Sequence, residues 1–352
     1  MSGASVRGRG AAANPKNRFE PLEVVGDPAA RDPDDPGPRT RFYRDATRTI
    51  IAHNDSPDIG FDSSVNPYRG CEHGCIYCYA RPYHEYLGLS AGLDFETKIL
   101  VKADAPALLR KALMARSWKP DVIALSGVTD PYQPAERRLR LTRRCLEVLA
   151  EFRNPATVVT KNHLVTRDAD VLGELASCQA ARVNVSITTL DPKLQRIMEP
   201  RTSAPVRRLA AVEALARAGI PVHVLVAPVI PALNDEEIPA ILAAAGAAGA
   251  GSASHAPVRL PHGVKDLFAD WLGRHFPDRK AKVLNRIRAM RGGRLNEPGF
   301  GARMRAQGEM AAQVRALFDA GLRKAGLAPQ PPALSVASFR RPSASRDQLA
   351  LL

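Results

Sequence analysis

The feature that most constrains this chain is a regular alternation of two kinds of segment through about 200 residues of its middle. Short runs rich in β-branched residues are each followed by a polar turn. A longer segment then follows, in which Leu, Val, Ile and Ala recur at three- and four-residue steps. The short runs begin near positions 98, 122, 156, 181, 220 and 255. This alternation predicts an α/β fold with parallel strands joined by right-handed helical crossovers, either a barrel or a doubly wound sheet.

Polar residues that end the predicted strands are the first candidates for chemistry. In both architectures, ligands bind at the carboxyl ends of the strands. The polar segments at these positions are 126–130, 160–162, 186–191 and 228–234. We therefore expect these segments, rather than the residues that begin the strands, to form the functional site.

Three of the five cysteines lie within eight residues, in the segment NPYRGCEHGCIYCYARPYHEY, which follows a strand-like stretch. They are Cys71, Cys75 and Cys78, with the spacing C-x3-C-x2-C. Three thiolates on one short loop can ligate three iron atoms of a [4Fe-4S] cluster and leave the fourth iron without a protein ligand. Gly70 and Gly74 provide the backbone freedom that a tight loop requires. The spacing predicts a reactive iron–sulfur site.

A zinc site is the alternative interpretation of the same loop, with His73 or His84 as the fourth ligand. Closed zinc sites usually combine two separated pairs of ligands, and the sequence offers no second pair. Cys145 lies in a predicted amphipathic helix and Cys178 at a predicted helix end, where cysteines commonly serve as core or surface thiols. The spacing therefore favours the cluster.

The cysteine spacing, with Tyr77 before the last cysteine, resembles the signature of the radical S-adenosylmethionine (radical SAM) superfamily. Further segments resemble its branch related to spore photoproduct lyase and the bacterial proteins described as DNA-repair-photolyase-like. These segments are NDSPDIGFDSSVNPYRG, TDPYQPAERRLRLTR, VVTKNHLVTRDADVL, VSITTLDPKLQRIMEPR and APVIPALND. The resemblance extends over roughly residues 40 to 325. It implies a partial (β/α)6 barrel of the TIM type, with the [4Fe-4S] cluster at its open top and S-adenosylmethionine as the cofactor.

The resemblance also implies roles for individual residues. Tyr77 is expected near the adenine of S-adenosylmethionine, and Lys161 near its carboxylate or ribose. Ser186 is expected to meet a ribose hydroxyl or a carboxylate oxygen. The methionyl amino group is expected at the end of the second barrel strand, at Ser126, Gly127 and Thr129. For Ser126 and Gly127 the alternative is a purely structural turn, and for Ser186 a bond to the neighbouring backbone.

Arg201 and Tyr79 complete the predicted set. Arg201 is a candidate to bind an anionic substrate or the cofactor carboxylate, or else to pair with Glu199. Tyr79 matches the catalytic tyrosine that follows the third cluster cysteine in spore photoproduct lyase. The partner cysteine of that family has no counterpart in the segment SGVTDPYQP. The sequence thus predicts radical generation, but does not predict reversal of thymine photoproducts.

Composition suggests four regions along the chain. Residues 1–40 and 329–352 are rich in Pro, Arg, Ala and other residues that do not form a core, and are predicted to be disordered. Residues 41–260 form the predicted barrel core. Residues 261–328 form a helical, basic C-terminal extension. Its predicted apolar face consists of Leu267, Phe268, Trp271 and Leu272.

Charge is concentrated toward the end of the chain. The formal net charge is +14, and residues from 262 onward contain 17 Lys and Arg against 7 Asp and Glu. A basic surface suits nucleic acid or another polyanion, although an arginine-rich solvated surface is an equal alternative. The predicted phosphate-contacting patch, or alternatively a lid over the barrel, consists of Arg286, Arg288, Arg291 and Arg294.

The predicted function is therefore that of a radical SAM enzyme that cleaves S-adenosylmethionine reductively to a 5′-deoxyadenosyl radical, with nucleic acid as a candidate substrate. A flavodoxin- or ferredoxin-like electron donor is the expected partner. The alternatives are modification of a protein, peptide or small metabolite, and a non-catalytic metal-binding or electron-transfer role. No stretch reaches the length of about 18 apolar residues that a membrane span needs, and the start of the chain lacks the apolar centre of a secretory signal. A cytoplasmic location is expected.

Overall fold

The computed structural model of the protein describes residues 5–20 and 38–342. The strands are β1 Arg41–Arg44, β2 Ile51–His53, β3 Ser63–Val65, β4 Tyr68–Arg69, β5 Lys98–Val101, β6 Ile123–Leu125, β7 Ala156–Thr160, β8 Ala181–Ser186, β9 Val222–Val229 and β10 Ser252–Pro257. The helices are α1 Leu93–Thr97, α2 Ala105–Met114, α3 Glu136–Leu139, α4 Leu141–Phe152, α5 Ala169–Ser177, α6 Pro192–Met198, α7 Pro205–Arg217, α8 Ile238–Ala247, α9 Val264–His275, α10 Pro277–Ala289 and α11 Gly308–Lys324. Across these two ranges, no helix combines the length and the apolar character that a membrane crossing requires.

The main sheet follows the predicted alternation of strand and helix. Within the described residues it has seven strands in the order β10-β9-β8-β7-β6-β3-β2. The six strands from β10 to β3 are parallel, and β2 adds an antiparallel edge. Because β10 and β2 form the two edges and do not pair with each other, the sheet is a partial barrel with an open side. The predicted α/β fold of the (β/α)6 type is confirmed.

The apolar core lies between this sheet and its helices. Strand residues such as Val158 and Val183 are fully buried against Leu146 of α4 and Ile241 of α8. Phe318 of α11 joins the same core, so the last helix closes the layer instead of extending into solvent. Helices with one apolar face and strands with branched residues produce this packing directly.

The C-terminal extension packs against the loop that contains Cys71, Cys75 and Cys78, hereafter the cysteine loop. Phe268 and Trp271 of α9 are fully buried, and the indole N–H of Trp271 donates to the carbonyl of Ile197 at 3.1 Å. Their apolar cluster includes Cys75, Ile76 and other residues near the end of α6. The apolar face predicted for this helix is confirmed, and it covers the barrel.

Two predicted elements differ from the structure. The run near position 98 forms β5, which pairs with β1 and β4 in a separate three-stranded sheet. The apolar spacing of residues 135–152 predicts one long helix, but the helix is interrupted at Arg140, whose φ is 50°. The Glu136 carboxylate accepts hydrogen bonds from the backbone of Thr142 and Arg143, and this side-chain cap begins a second helix.

Parts of both segments predicted to be disordered are ordered. Ala11 and Ala12 are buried, and the backbone of Ser335 and Arg340 bonds to carbonyls that precede the barrel strands. Composition suggests disorder where large apolar residues are rare, but small residues allow close backbone approach. A Cβ on Gly10 would lie 1.9 Å from the carbonyl oxygen of Gly74, so glycine is required there. Residues 1–4, 21–37 and 343–352 of the same predictions lie outside the described residues.

Candidate active site at the carboxyl ends of the strands

The cysteine loop directly follows β4 and is held by backbone hydrogen bonds to neighbouring elements. The amide of Cys71 donates to the carbonyl of Phe95 at 2.9 Å, and the amide of Ile76 donates to the carbonyl of Met198 at 3.1 Å. The φ angles of Gly70 and Gly74 are 80° and 65°. The left-handed backbone expected at these two glycines is confirmed.

Arg81 organises this loop from inside. Its Nε donates to the carbonyl of Cys75 at 3.0 Å, and its Nη2 donates to the carbonyl of Gly74 at 3.2 Å. Its other guanidinium N–H groups donate to the carbonyls of Ala91 and Gly92 and to the Glu96 carboxylate. The side chain is fully buried, and all five donors have acceptors. This arginine fixes the backbone that carries the second cysteine.

Glu96 connects the loop to the N-terminal strap, which is residues 8–18. Its two carboxylate oxygens accept hydrogen bonds from the amides of Gly10 and Ala11 at 3.0 and 2.8 Å. Asn17 anchors the other end of the strap by donating to the carbonyls of Glu85 and Leu89. The strap therefore covers the cysteine loop and shares a buried carboxylate with Arg81.

The three thiols occupy surroundings that favour the neutral form. Burial raises the pKa of Cys71, Cys75 and Cys78. Asp130 raises the pKa of Cys71 further, and Glu199 does the same for Cys75. Such thiols become thiolates when a bound metal compensates the charge. The cysteines also influence one another's pKa, so they lie near each other on the loop.

The three thiols of the loop are a donor set that suits an iron–sulfur cluster. Within residues 5–20 and 38–342, no three side chains of His, Cys, Asp or Glu converge closely enough to hold one ion. Zinc needs its ligands at about 2.0–2.3 Å from one centre, whereas an iron–sulfur cluster takes one thiolate on each of several iron atoms. His73 is engaged with Asp130 and Asn162, and His84 packs edge-on against Phe95.

Asp130 joins two of the predicted strand-end segments to the cysteine loop. Its carboxylate accepts hydrogen bonds from the Thr160 hydroxyl and the Lys161 amide, both at 2.7 Å, and lies 3.2 Å from Nδ1 of His73. Burial alone would raise the pKa of Asp130, but the charge of His73 and these hydrogen bonds hold it below its usual value. The ends of β6 and β7 thus meet the loop, as expected from parallel strands.

The turn after β6 contains three of the predicted cofactor residues. Ser126 and Gly127 have φ angles of 148° and 105°, so the chain leaves the strand in a sharp turn. The Ser126 hydroxyl donates to the carbonyl of Thr129 at 3.2 Å, and the Thr129 hydroxyl donates to the carbonyl of Tyr68 at 3.2 Å. Asn66 accepts from the amides of Val128 and Thr129. These bonds fix the turn beside the cysteine loop.

Glu199 is the centre of a second buried network. Its carboxylate accepts hydrogen bonds from Tyr77, from Thr188 and from Arg208, and lies 3.7 Å from Nζ of Lys161. Burial alone would raise the pKa of Glu199, but Arg208, Lys161 and the hydrogen bonds lower it to about 2. Burial and the Glu199 charge raise the pKa of Tyr77. Glu199 therefore connects Tyr77 and Lys161, the two residues expected near the cofactor, although Glu199 itself had no predicted role.

Ser186 contacts this network and Arg201 pairs elsewhere. Ser186 is the last residue of β8, and its carbonyl accepts a hydrogen bond from Arg208 at 3.0 Å. Arg201 does not pair with Glu199: its Nη1 lies 3.2 Å from Glu72 and 3.1 Å from the Thr40 hydroxyl. Arg208 already satisfies Glu199, so the alternative pairing considered for Arg201 is wrong.

Tyr79 lies at the opening of the barrel. Its side chain is 43% exposed, and its hydroxyl donates to the carbonyl of Gly127 at 2.7 Å. The guanidinium carbon of Arg259, which follows β10, lies 5.4 Å from the centre of the Tyr79 ring. The tyrosine after the third cysteine therefore reaches the turn where the cofactor amino group is expected.

The basic patch predicted on the extension is not a single surface. Arg291 is buried, and its guanidinium donates to the carbonyls of Val258 and Arg303 at 2.8 Å each. Arg286 faces Asp235 at 3.8 Å. The prediction that Arg291 belongs to an exposed patch is therefore wrong, because sequence periodicity does not reveal which arginines near a helix end bond to the protein's own backbone.

Sequence reasoning missed Glu199, Arg208, Arg81 and the N-terminal strap. Arg81 lies in the cysteine segment and precedes a proline, but nothing in its spacing distinguishes it from a surface arginine. Glu199 and Arg208 are nine residues apart, on opposite sides of a turn, and no helical or strand period connects them.

The part of the chain that matches a known family contains the candidate site. The family model described as the radical SAM superfamily matches residues 65–245, just over half of the chain. An uncharacterized protein of Mycobacterium tuberculosis is 40% identical over 222 residues, which cover 62% of this chain and 65% of that protein. One from Methanocaldococcus jannaschii is 29% identical over 173 residues, which cover 49% and 62%. The chain thus spans a little less than two thirds of these relatives.

Solved structures share the fold. Spore photoproduct lyase complexed with dinucleoside spore photoproduct has a TM-score of 0.58 at 18% identity, over 81% of this chain and 80% of that one. A mutant of the same enzyme with bound AdoMet and dinucleoside spore photoproduct has a TM-score of 0.57 at the same identity and coverage. At this identity the likeness establishes the fold. Because the family match contains the cysteine loop and the strand ends that surround it, the protein belongs to the radical SAM superfamily.

Proposed function

We propose that the protein is an enzyme that holds a [4Fe-4S] cluster on Cys71, Cys75 and Cys78 and cleaves S-adenosylmethionine reductively. The observation that carries the proposal is the loop itself, which places three thiols next to the carboxyl ends of the parallel strands. When bound, the cluster supplies the electron that splits the sulfonium cofactor into methionine and a 5′-deoxyadenosyl radical. A flavodoxin- or ferredoxin-like protein is the proposed electron donor.

The surrounding residues are proposed to bind and orient the cofactor. The turn of Ser126, Gly127 and Thr129 offers backbone carbonyls to the methionyl amino group. Lys161 offers a cation to the carboxylate or ribose, and its position is fixed by Glu199 and by a bond to the carbonyl of Ala227 at 3.2 Å. Three further side chains complete the proposed cofactor site: Tyr77 near the adenine, Ser186 near a ribose or carboxylate oxygen, and Arg201 near an anionic group.

Tyr79 is proposed as the catalytic residue that faces the substrate. Its ring lies at the barrel opening, between the turn after β6 and Arg259. Trp271 and Phe268 are buried against the segment that contains Cys75 and Ile76, and this packing excludes water from that part of the loop.

Nucleic acid is the proposed substrate. Apart from the net charge of +14, the support is a cavity of about 530 Å³ beside Glu72 that contains five arginines. They are Arg7, Arg9, Arg39, Arg138 and Arg201. A relative with this fold has been solved with a dinucleoside spore photoproduct, which is consistent with the proposal.

Modification of a protein, peptide or metabolite is the second candidate. The observation that favours it is the structural use of the extension: Arg303 and the amide of Gly301 both bond to Asp58 at 2.6 Å. These bonds close one side of the barrel opening, as a lid would.

The experiment is anaerobic reconstitution with iron and sulfide, followed by reduction with dithionite and S-adenosylmethionine and measurement of 5′-deoxyadenosine. We expect formation by the wild type and none by Cys75→Ala. Cys145→Ala is the matched control, because that thiol lies in the apolar core away from the loop. Undiminished cleavage by Cys75→Ala, or one zinc per chain in oxygen-free protein, would contradict the ligand assignment. Stimulation by DNA is expected for the first substrate proposal and not for the second.

A further inference from the structure

Four large aromatic side chains are exposed beside the cysteine loop. They form the aromatic row, Tyr79, Tyr83, Tyr86 and Phe19, and are between 43% and 68% exposed. Exposed aromatic rings cost free energy in water, and a group of them usually marks an interaction surface. None of the roles proposed above uses Tyr83, Tyr86 or Phe19.

Tyr83 and Tyr86 of the row lie on a short helix, Tyr79 lies just before that helix, and Phe19 directly follows the N-terminal strap. Tyr83 and Tyr86 are three residues apart on the 3-10 helix Arg81–Leu87, and this spacing places both on one side. Their ring centres are 6.4 Å apart, and Phe19 stacks on Tyr86 with ring centres 4.8 Å apart. The rings thus present a continuous series of faces and edges rather than isolated side chains.

The row begins at the opening of the barrel. Tyr79 bonds to the carbonyl of Gly127 after β6 and lies under Arg259 after β10. Because β10 is the edge of the sheet, these contacts place Tyr79 across the carboxyl end of the open barrel. Tyr79 and Arg259 also lie close enough to Tyr83 to affect one another electrostatically. A ligand on the row is therefore directed toward the proposed reaction site.

Two arginines, Arg259 and Arg18, lie beside the row. Arg259 has a buried Nε without a hydrogen-bond partner among the described residues, while its Nη1 contacts only the sulfur of Met304 at 3.3 Å. Arg18 lies 4.9 Å from the centre of the Phe19 ring and pairs with the buried Glu85 at 2.6 Å. Arg259 is thus a cation that still has hydrogen-bonding capacity for an anion.

We propose that the aromatic row stacks the bases of an unpaired DNA strand and that Arg259 contacts its backbone. This inference rests on the nucleic-acid substrate of the proposed function. Every base offers a flat π surface that stacks on tyrosine or phenylalanine, and a phosphate satisfies a free guanidinium donor. A duplex hides its base faces, so a paired target must first expose a base. An uncharged apolar partner would leave Arg259 unsatisfied.

The test is fluorescence anisotropy of a short labelled oligothymidylate, with the double variant Tyr83→Ala/Tyr86→Ala. Loss of two stacked rings is expected to weaken binding by about 30-fold or more. Tyr83→Phe/Tyr86→Phe keeps the rings and is expected to bind within about threefold of the wild type. Tyr43→Ala, an exposed tyrosine on β1 outside the row, is the matched control. Thermal melting verifies that each variant is folded.

Arg259 is tested separately by salt dependence. Arg259→Gln is expected to reduce the slope of log affinity against log salt by about one, as removal of one phosphate contact does. Unchanged affinity in the double alanine variant, or an unchanged slope in Arg259→Gln, would overturn the corresponding contact. Tighter binding of a blunt duplex, or of oligouridylate, would overturn the unpaired DNA strand as the ligand.

Binding is measured without S-adenosylmethionine and without turnover. Absence of 5′-deoxyadenosine from the reconstituted enzyme would therefore overturn the proposed reaction and leave the aromatic row as a DNA-binding surface. If Tyr83→Ala/Tyr86→Ala bound the oligonucleotide as tightly as the wild type while the wild type cleaved the cofactor normally, the proposed reaction would stand and the aromatic row would be excluded as the DNA-binding surface.

Discussion

The apolar core and the layer around the cysteine loop are equally buried, yet they are held by different forces. Leu146 and Ile241 in the core are 0% exposed, and an apolar residue of similar shape would keep part of their packing contacts. Arg81, Glu96 and Arg208 in the loop layer are no more than 1% exposed, and depend on specific charged partners. Loss of a methylene in the first region weakens packing by degrees, whereas loss of one charge in the second leaves its partner buried and unpaired.

Arg81→Met is expected to have the largest effect on stability. It leaves Glu96 without its buried cation and several loop carbonyls without donors, at a cost of about 3–5 kcal/mol in the free energy of unfolding. Urea denaturation measures the loss, and iron content after reconstitution should fall with it. Arg81→Lys is the control that keeps the charge and loses the five-donor geometry, and we expect an intermediate stability. Wild-type stability in Arg81→Met would show that the two regions do not differ.

Glu199→Gln is expected to cost about 3 kcal/mol at neutral pH. In the folded protein the pKa of Glu199 is lowered from 4.5 to about 2, so the ionised carboxylate stabilises the fold at pH values above about 4.5. That contribution is lost as pH falls from about 4.5 toward 2, where wild type and variant should converge. Urea denaturation from pH 7 to pH 3 measures the difference between the two proteins. A difference that stays constant through this interval would exclude ionisation as its source.

Ile241→Val is expected to cost about 1 kcal/mol, because it removes one methylene from a fully buried position. The residue lies on α8, and the iron content per folded molecule should not change. This variant sharpens the contrast, since a core effect should alter stability alone. A drop in iron content would indicate that the core and the loop layer are coupled.

Arg217→Ala is expected to have the smallest effect, within about 0.5 kcal/mol. Arg217 pairs with Glu213 one helical turn away, but both side chains are largely exposed. The comparison with Arg81→Met therefore separates an arginine in water from one inside the protein. A cost comparable to that of Arg81→Met would remove burial as the explanation.

The two regions also differed in how far the sequence predicted them. Branched residues at strand positions and leucines at helical spacing predicted the parallel sheet, because burial imposes those periods directly. The polar residues at the strand ends predicted the part played by the ends of β6 and β7, and the family resemblance implied that the cysteine loop lies at the same edge of the sheet. Glu199 and Arg208 were not predicted as a pair, since their contact arises from the turn between α6 and α7. The roles assigned to Tyr77, Lys161 and the other cofactor residues remain predictions.

The N-terminal strap is held in place by small residues, and the amino-acid composition of this segment did not predict that. Gly10 and Ala11 contribute amides rather than apolar surface, and Glu96, which accepts from them, lies more than 80 residues away. The same limit applies to α3 and α4, where apolar spacing continues through Arg140 although the backbone turns. Patterns report which faces are buried, but not which distant donor completes a buried acceptor.

The N-terminal strap has a practical consequence for anyone who shortens this protein to its catalytic region. Cutting the chain at the family boundary, residue 65, would remove two amides from the carboxylate that also holds Arg81. The cysteine loop would then fold without two of the hydrogen bonds that support Glu96 and, through it, Arg81. The region that matches the family model therefore leaves out a segment, the N-terminal strap, on which the backbone around the three cysteines depends.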